Sequence, residues 1–211
     1  DIKGTSLGLY GTWHGESGQY LDLIAKYTRL ENEFDVRNTY GHKLNGDYKT
    51  WGASLSAEYG KRFEGKNGLY VDPSIELTVG RIAAKTKDYT ATSDYLNAWG
   101  KNKNMDVEQD AFTSCIGRLG VRVGQTTDNA SYYVKLAAAH EFSGDFDSAF
   151  RAAGEQGGQT SLDFGDTWYE AQVGLTAKLS AANTFYATYG CSFGGDVEQK
   201  YRLDAGLRWS F

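Results

Sequence analysis

No run of eighteen or more apolar residues occurs in this 211-residue sequence, and this absence excludes a transmembrane helix. The 22 lysines and arginines are scattered along the chain and the net charge is −5, so we expect no nucleic acid partner. The three histidines have no metal-ligand spacing and form no cluster with the two cysteines. We therefore predict no metal site and no cofactor.

Proline is also scarce, with a single residue, whereas glycine accounts for 26 residues and aromatic side chains for 14% of the chain. This combination, with short clusters of turn residues between alternating segments, is typical of an all-β protein. Neither the composition nor a linker divides the sequence, so we predict one domain over residues 1–211.

The C-terminal segment, residues 200–211, shows strict alternation between two faces. One face is apolar and consists of Tyr201, Leu203, Ala205, Leu207, Trp209 and Phe211. The other face consists of Arg202, Asp204, Gly206, Arg208 and Ser210. A strand with one face in lipid and the other in a wet interior has this period of two, as in an outer-membrane β-barrel.

The same period predicts eight further strands, at residues 5–13, 19–30, 49–63, 69–82, 112–124, 131–142, 167–179 and 184–193. Long polar loops at 32–48, 83–107 and 143–166 alternate with short turns, as in barrels whose short turns all lie on the periplasmic side. Aromatic residues on the apolar faces lie near both ends of the strands, as bilayer interfaces favour. We therefore predict an antiparallel transmembrane β-barrel, surrounded by lipid of the bacterial outer membrane.

Nine strands is an odd number, whereas a single-chain bacterial barrel has an even number. A gap in the wall would leave backbone donors and acceptors in lipid without partners. We therefore hypothesise that the barrel is incomplete and is completed by upstream sequence or by strands of another protein.

A family resemblance is carried by five segments: YLDLIAKYTRL (20–30), IGRLGVRVG (116–124), YYVKLAAAHEF (132–142), TWYEAQVGLTAKLS (167–180) and YGCSFGGDVEQKYRLDAGLRWSF (189–211). They resemble the C-terminal translocator domain of type V autotransporters of Gram-negative bacteria. Within that family, the resemblance leads us to predict membership of the enterobacterial serine-protease group.

The resemblance implies a twelve-stranded barrel whose lumen holds an α-helical linker during or after export of an N-terminal passenger. Residues 5–13 would then form the fourth strand, so that the linker helix, the first three strands and the passenger are absent from residues 1–211. The resemblance also implies that the barrel assembly machinery recognises the C-terminal strand, and that its central subunit pairs with that strand. Such pairing uses an exposed strand edge as its template.

Some members of this family cleave their own passenger inside the lumen, at an asparagine whose side chain attacks its own peptide carbonyl with help from lumen acids. Asp22, Glu58 and Glu76 are the candidates for that help here, although the scissile junction is not in the sequence. Crowded charges can shift carboxylate pKa values. The alternative interpretation is that charge pairs simply line a wet pore, and most perturbed or paired charges are structural.

The two cysteines are unusual for an outer-membrane barrel in an oxidising compartment. Cys191 occupies a position where the family often has arginine, and Cys115 lies three strands away from it. Three strand spacings are about 14 Å, beyond the reach of about 7 Å between the Cα atoms of a disulfide. We hypothesise that at least one cysteine, above all Cys191, was introduced for crosslinking or labelling, with a disulfide to the central barrel of the assembly machinery as one use.

Two other functions fit parts of the pattern. A passive porin-like or adhesin-like barrel would conduct ions and need no passenger. A soluble β-barrel binding module would remain in solution without detergent and would bury Trp209 and Phe211 in its interior.

Overall fold

The computed structural model describes residues 1–37, 43–91, 103–152, 155–196 and 198–209. These residues form fourteen strands: β1 (Ile2–His14), β2 (Gln19–Arg37), β3 (Lys43–Lys61), β4 (Phe63–Glu64), β5 (Leu69–Ile82), β6 (Lys85–Ala91), β7 (Lys103–Gln109), β8 (Phe112–Thr126), β9 (Ala130–Glu141), β10 (Asp145–Ala152), β11 (Glu155–Asp163), β12 (Thr167–Lys178), β13 (Asn183–Phe193) and β14 (Arg202–Trp209). No helix among these residues is both long and apolar enough to cross a membrane. The predicted all-β class is confirmed.

Nine long strands form one antiparallel sheet in the order β1-β2-β3-β5-β8-β9-β12-β13-β14, and the two-residue β4 pairs with β5. All nine strands expected from the alternation are present, with ends that differ from the prediction by a few residues except where β2 and β3 extend farther. Each strand of the main sheet pairs with its predecessor in this order. The sheet is curled into a half-barrel, which has a concave and a convex face.

Pro73 explains why the third wall segment is divided into β3 and β4. Proline has no N–H for the ladder. Pairing between β3 and β5 ends at Gly60 and Ser74 and resumes between Phe63 and Val71, on either side of the proline. On the other side of this segment, the backbone N–H of Arg62 continues the ladder with β2 and donates to the carbonyl oxygen of Gly18, at 2.8 Å.

The two faces of the sheet reverse the usual burial pattern of a soluble protein. Along the first half of β5, Leu69, Val71, Pro73 and Ile75 are exposed, and the alternate residues Tyr70, Asp72 and Ser74 are buried. Among the described residues the buried apolar side chains are Tyr70, Ala137 and Ala139. The convex face is apolar and solvent-accessible in this isolated chain, as a lipid-facing wall must be.

The soluble binding module is therefore wrong as an interpretation of this sequence. Trp209, which that module would bury, has 61% of its surface exposed, and Leu203 on the same strand has 71%. Phe211 lies outside the described residues.

Aromatic side chains of the convex face lie toward both ends of the strands, as the alternation predicts. Tyr27 and Trp51 stack at the outer level, with ring centroids 6.1 Å apart. Tyr169 and Phe193 approach each other at the same end, at 6.0 Å. Toward the periplasmic turns the exposed aromatic residues are Trp13, Phe63, Tyr132 and Trp209.

The three segments expected to be polar loops contain further strands, and this part of the prediction is wrong. β2 and β3 remain paired as far as Arg37 and Lys43, inside the predicted loop 32–48. The other two segments form a second, four-stranded sheet in the order β11-β10-β7-β6. Its central pairing joins β7 to β10, so two different connections share one extracellular sheet.

The main sheet has two open ends. β1 pairs with β2 and β14 pairs with β13, and the path of paired strands ends at these two elements. The predicted incomplete barrel is thus confirmed as an open half-barrel.

Four tyrosines on the concave face each lie flat over a glycine of the next strand. The pairs are Tyr20 on Gly60, Tyr70 on Gly124, Tyr133 on Gly174 and Tyr186 on Gly206. A Cβ atom built on any of these glycines would overlap the tyrosine ring or its hydroxyl. The ring covers backbone that glycine would otherwise leave bare, which stabilises strand pairing in curved sheets.

Substitution of Gly174 by alanine should displace Tyr133 and destabilise the wall by about 1–3 kcal/mol, the usual cost of overpacking. Gly11→Ala is the matched control, because a Cβ there meets no atom within 4 Å. We expect urea unfolding in detergent, followed by the heat-modifiable gel band, to separate the two variants. Equal midpoints for the two would show that the contact carries no stability.

Candidate functional site

The concave face carries a row of three carboxylates on neighbouring strands. Asp22 of β2 lies directly opposite Glu58 of β3, and Glu58 lies opposite Glu76 of β5. The next residue in the row is Arg118 of β8. The structure therefore brings together all three acids that the sequence put forward as candidates for passenger cleavage.

Glu76 is the most fully engaged of the three. Its Oε1 accepts hydrogen bonds from Ser56 Oγ at 3.1 Å, from Thr78 Oγ1 at 2.8 Å and from Arg118 Nη1 at 2.9 Å. Glu76 thus joins side chains of β3, β5 and β8 at one carboxylate oxygen.

Arg118 extends the network across the concave face. Its Nε donates to Glu170 Oε1 of β12 at 3.0 Å, and Trp168 Nε1 donates to the same oxygen at 2.9 Å. Between β8 and β12 lies β9, whose concave-face residues Ala137 and Ala139 are small and buried. The guanidinium therefore joins two carboxylates across an alanine-lined strand.

Glu58 and Asp22 differ in their partners. Tyr20 Oη donates to Glu58 Oε1 at 3.1 Å, and Lys135 Nζ lies 3.8 Å from the same oxygen. Asp22 Oδ1 is buried and has no hydrogen-bond partner among the described residues. Glu58 is therefore held by neighbouring side chains, whereas Asp22 keeps a buried oxygen that accepts no hydrogen bond in the described part of the chain.

A second charge cluster, centred on Asp72, was not singled out by sequence reasoning. Asp72 is 2% exposed, and its Oδ2 lies 3.6 Å from Arg62 Nη2 and 3.5 Å from Arg122 Nη1. Arg62 stacks on Tyr70 at 4.0 Å and Arg122 on Tyr133 at 4.9 Å. Asp72 and Arg122 are opposite each other on paired strands, and this pairing could have indicated the cluster. It depends on the register between strands, which the sequence pattern alone does not supply.

A wide cavity of about 690 Å³ lies on the concave side between β5 and β14. Its wall includes Arg118, Lys135, Glu170, Arg202 and Asp204. Acids and bases are both present along it and form ion pairs, so the wall is hydrophilic while its charges are neutralised by one another. In the part of the chain that the structure describes, no group of three or more histidine, cysteine or acidic residues could hold a metal ion.

The C-terminal strand has the predicted outward face. The side chains of Tyr201, Leu203, Leu207 and Trp209 are exposed, and Ala205 lies opposite Ala187 of β13. β14 itself begins at Arg202, one residue after Tyr201. Residues 210–211, including Phe211, lie outside the described part of the chain.

The two cysteines are free thiols on separate strands, Cys115 on β8 and Cys191 on β13. The strand order places β9 and β12 between them, so the spacing of about 14 Å expected from the sequence holds. An artificial origin and a disulfide to another chain both stay predictions. Since Cys191 lies one strand inside β14, a strand added beyond β14 would be about 10 Å from it, too far for a disulfide.

Substitution of Arg118 should reduce the stability of the fold more than substitution of an exposed arginine. We expect Arg118→Gln to lower the free energy of unfolding by about 1–2 kcal/mol, because it leaves Glu76 and Glu170 without their shared cation. Arg202→Gln is the control, since Arg202 is 66% exposed and its pair with Asp204 should contribute under about 0.5 kcal/mol. Denaturant titration in detergent measures both, and indistinguishable losses would contradict the role given to Arg118.

The model of the autotransporter beta-domain family matches residues 1–190. The pertactin autotransporter of Bordetella parapertussis is 29% identical over 210 residues, which is 97% of this chain and 21% of the relative. The BrkA autotransporter of Bordetella pertussis is 28% identical over 219 residues, covering 100% of this chain and 20% of the relative. The chain thus spans about a fifth of the length of these curated relatives.

Two solved structures have a similar fold. The beta domain of the Bordetella autotransporter BrkA aligns with a TM-score of 0.69 and 25% identity, covering 100% of this chain and 74% of that one. The translocator domain of NalP from Neisseria meningitidis aligns with a TM-score of 0.66 and 15% identity, covering 100% and 67%. The serine protease Pet autotransporter of Escherichia coli is 25% identical over 222 residues, so these matches do not single out the enterobacterial serine-protease group, which stays a prediction.

Proposed function

This chain belongs to the autotransporter beta-domain family and forms part of an outer-membrane β-barrel, and on that premise we propose that it delivers an N-terminal passenger to the cell surface. The observation that carries the proposal is the pair of opposite faces. One face is an apolar wall with aromatic residues at both ends, and the other is polar, charged and concave.

The pairing of charges on the concave face supports passage of a chain. Glu76, Glu170 and Asp72 are each held by an arginine, and Glu58 by Lys135. A wall whose charges are already paired remains wet without offering many free charges that would retain a passing polypeptide. A porin-like wall would share the wetness, so the presence of a delivered passenger is what distinguishes the two functions.

We propose in addition that three strands and a linker helix complete this domain. The support is the pair of open ends at β1 and β14, which in lipid would leave rows of N–H and C=O groups without partners. Nine of twelve strands is also in keeping with the 74% of the BrkA beta domain that the chain covers. A structure of the full-length protein would test this proposal. We expect the added strands to pair with β1 at one end and with β14 at the other, and the absence of this pairing would contradict the proposal.

The same open edge of β14 supports a proposed pairing with the central subunit of the barrel assembly machinery. A cysteine at Ala205 of β14 should crosslink to that subunit during assembly, in a background without Cys115 and Cys191. Ala187→Cys is the matched control because Ala187 is the direct cross-strand partner of Ala205, one strand inside the edge. Crosslinking from both positions, or from neither, would rule out pairing along β14.

Passenger delivery is tested with one new charge placed on either face of the wall at the same depth. Leu203→Arg puts the charge on the convex face, where it should cost up to about 2–4 kcal/mol in lipid and block assembly. Thr188→Arg puts it on the concave face, beside Asp204, where we expect it to be tolerated. The readout is the fraction of passenger that added protease removes from intact cells expressing the full-length protein.

We expect surface passenger to be lost in Leu203→Arg and retained in Thr188→Arg. Equal display in the two variants would contradict the assignment of the two faces. If cells with the unaltered protein display no protease-accessible N-terminal segment while the purified protein conducts ions, the porin-like function replaces delivery.

A further inference from the structure

Basic side chains cluster on the convex face just above the outer aromatic level. On β1, β2 and β3 the outward positions change in the same order, from aliphatic through small or aromatic to basic. Lys3, Glu31 and Lys49 form one cross-strand row, and Arg29 lies in the row below, opposite Trp51. We use the name basic row for the three cations together: Lys3 and Lys49 in the upper row, and Arg29 in the row below.

Glu31 lies at the centre of these cations. Its Oε1 is 2.9 Å from Lys49 Nζ and 3.6 Å from Arg29 Nε. The hydrogen bond and charge of Lys49, with smaller contributions from Arg29 and Lys3, lower the pKa of the Glu31 carboxyl. Three basic groups therefore surround a single acid, so the cluster keeps a net positive charge.

The basic row occupies a narrow level between two different surfaces. Directly below it are the stacked rings of Tyr27 and Trp51, which mark the outer interface of the bilayer. Two residues farther out, about 7 Å along the strands, the same face becomes acidic at Glu33 and Asp47. The positive charge of the basic row thus lies at the depth of the lipid headgroups, between the aromatic level and an acidic level.

We propose that the basic row binds the phosphate groups of anionic lipids in the outer leaflet. Arg29 presents a planar fork that matches a phosphate, and Lys49 and Lys3 act as point charges beside it. The side chains of Arg29 and Lys49 are 61% and 56% exposed, so each keeps donors available beyond its contact with Glu31. The row is continuous with the apolar wall below, so a lipid bound there has its acyl chains against Leu7 and Leu9, which are each 74% exposed.

A free anion or an acidic protein segment would also be attracted by three cations. Neither would need the apolar surface that begins one row below, whereas a lipid places its acyl chains on that surface. Lipid phosphate accounts for both the charge and its depth.

The test is titration of a short-chain phosphatidic acid into the full-length protein in a non-ionic detergent, followed by tryptophan fluorescence. Each basic group near an anionic surface contributes about 1 kcal/mol, which corresponds to about a fivefold change in affinity. We therefore expect Lys49→Gln to bind about fivefold more weakly and the variant lacking all three basic groups at least tenfold more weakly. Glu31→Gln should bind about two- to fivefold more tightly, because it removes the competing acid.

Lys61→Gln is the matched control, since Lys61 lies on the same face of β3 near the periplasmic end. It should leave the affinity unchanged. Phosphatidylcholine of the same chain length and inorganic phosphate should each compete poorly with phosphatidic acid. Unchanged binding in the triple variant and in Glu31→Gln overturns the proposal. Displacement by inorganic phosphate at similar concentration, or by an acidic peptide, assigns the row to a soluble anion or to a protein and also overturns it.

Discussion

Every backbone N–H and C=O group inside a lipid bilayer needs a partner within the protein, because no water is present to provide one. In this chain the requirement is met by cross-strand pairing throughout one nine-stranded antiparallel sheet. The same requirement explains where breaks in the strand pairing are tolerated. Pro73 lies at the periplasmic end of β5, where the neighbouring segment divides and Arg62 bonds to the adjacent turn. The open ends at β1 and β14 are the places where the requirement is still unmet, and the proposed added strands and assembly partner both act there.

The burial pattern follows from the same membrane environment, because lipid surrounds the outside of the wall and water fills the inside. An apolar convex face needs no core, so the packed part of the molecule is its charged concave face. There the tyrosines lie on glycines and the arginines lie between carboxylates. The Arg118–Glu170 contact joins β8 to β12 and the Lys135–Glu58 contact joins β9 to β3, and neither pair of strands is adjacent. The chemistry that stiffens the wall also neutralises it, which suits a surface past which another polypeptide moves.

The strand positions were predictable because each membrane-spanning strand has lipid on one face and water on the other. Residues 69–82 and 167–178 show this contrast clearly, and the structure places β5 and β12 there. Outside the membrane both faces meet water and the contrast disappears. For that reason the sequence predicts polar loops where β6, β7, β10 and β11 form a sheet of their own.

The candidate site was predictable in content but not in arrangement. Asp22, Glu58 and Glu76 could be recognised as concave-face acids, whereas their alignment depends on the register between strands. Register is set by turn geometry and pairing, which a period of two does not specify. The cluster of buried Asp72 with Arg62 and Arg122 could not be predicted for the same reason.

The central claim is that this sheet separates lipid from water, and it is tested most directly by nitroxide accessibility along β9. Single labels at successive positions from Tyr132 to Ala139 in the full-length protein, with Cys115 and Cys191 replaced by serine, would be placed in a bilayer. Collision rates with oxygen and with a water-soluble nickel complex should alternate. Labels at Tyr132, Val134, Leu136 and Ala138 should favour oxygen, and labels at Tyr133 and Lys135 should favour nickel. Ala137 and Ala139 are buried, so labels there should collide little with either reagent. Uniform accessibility, or alternation with the opposite phase, would contradict the account.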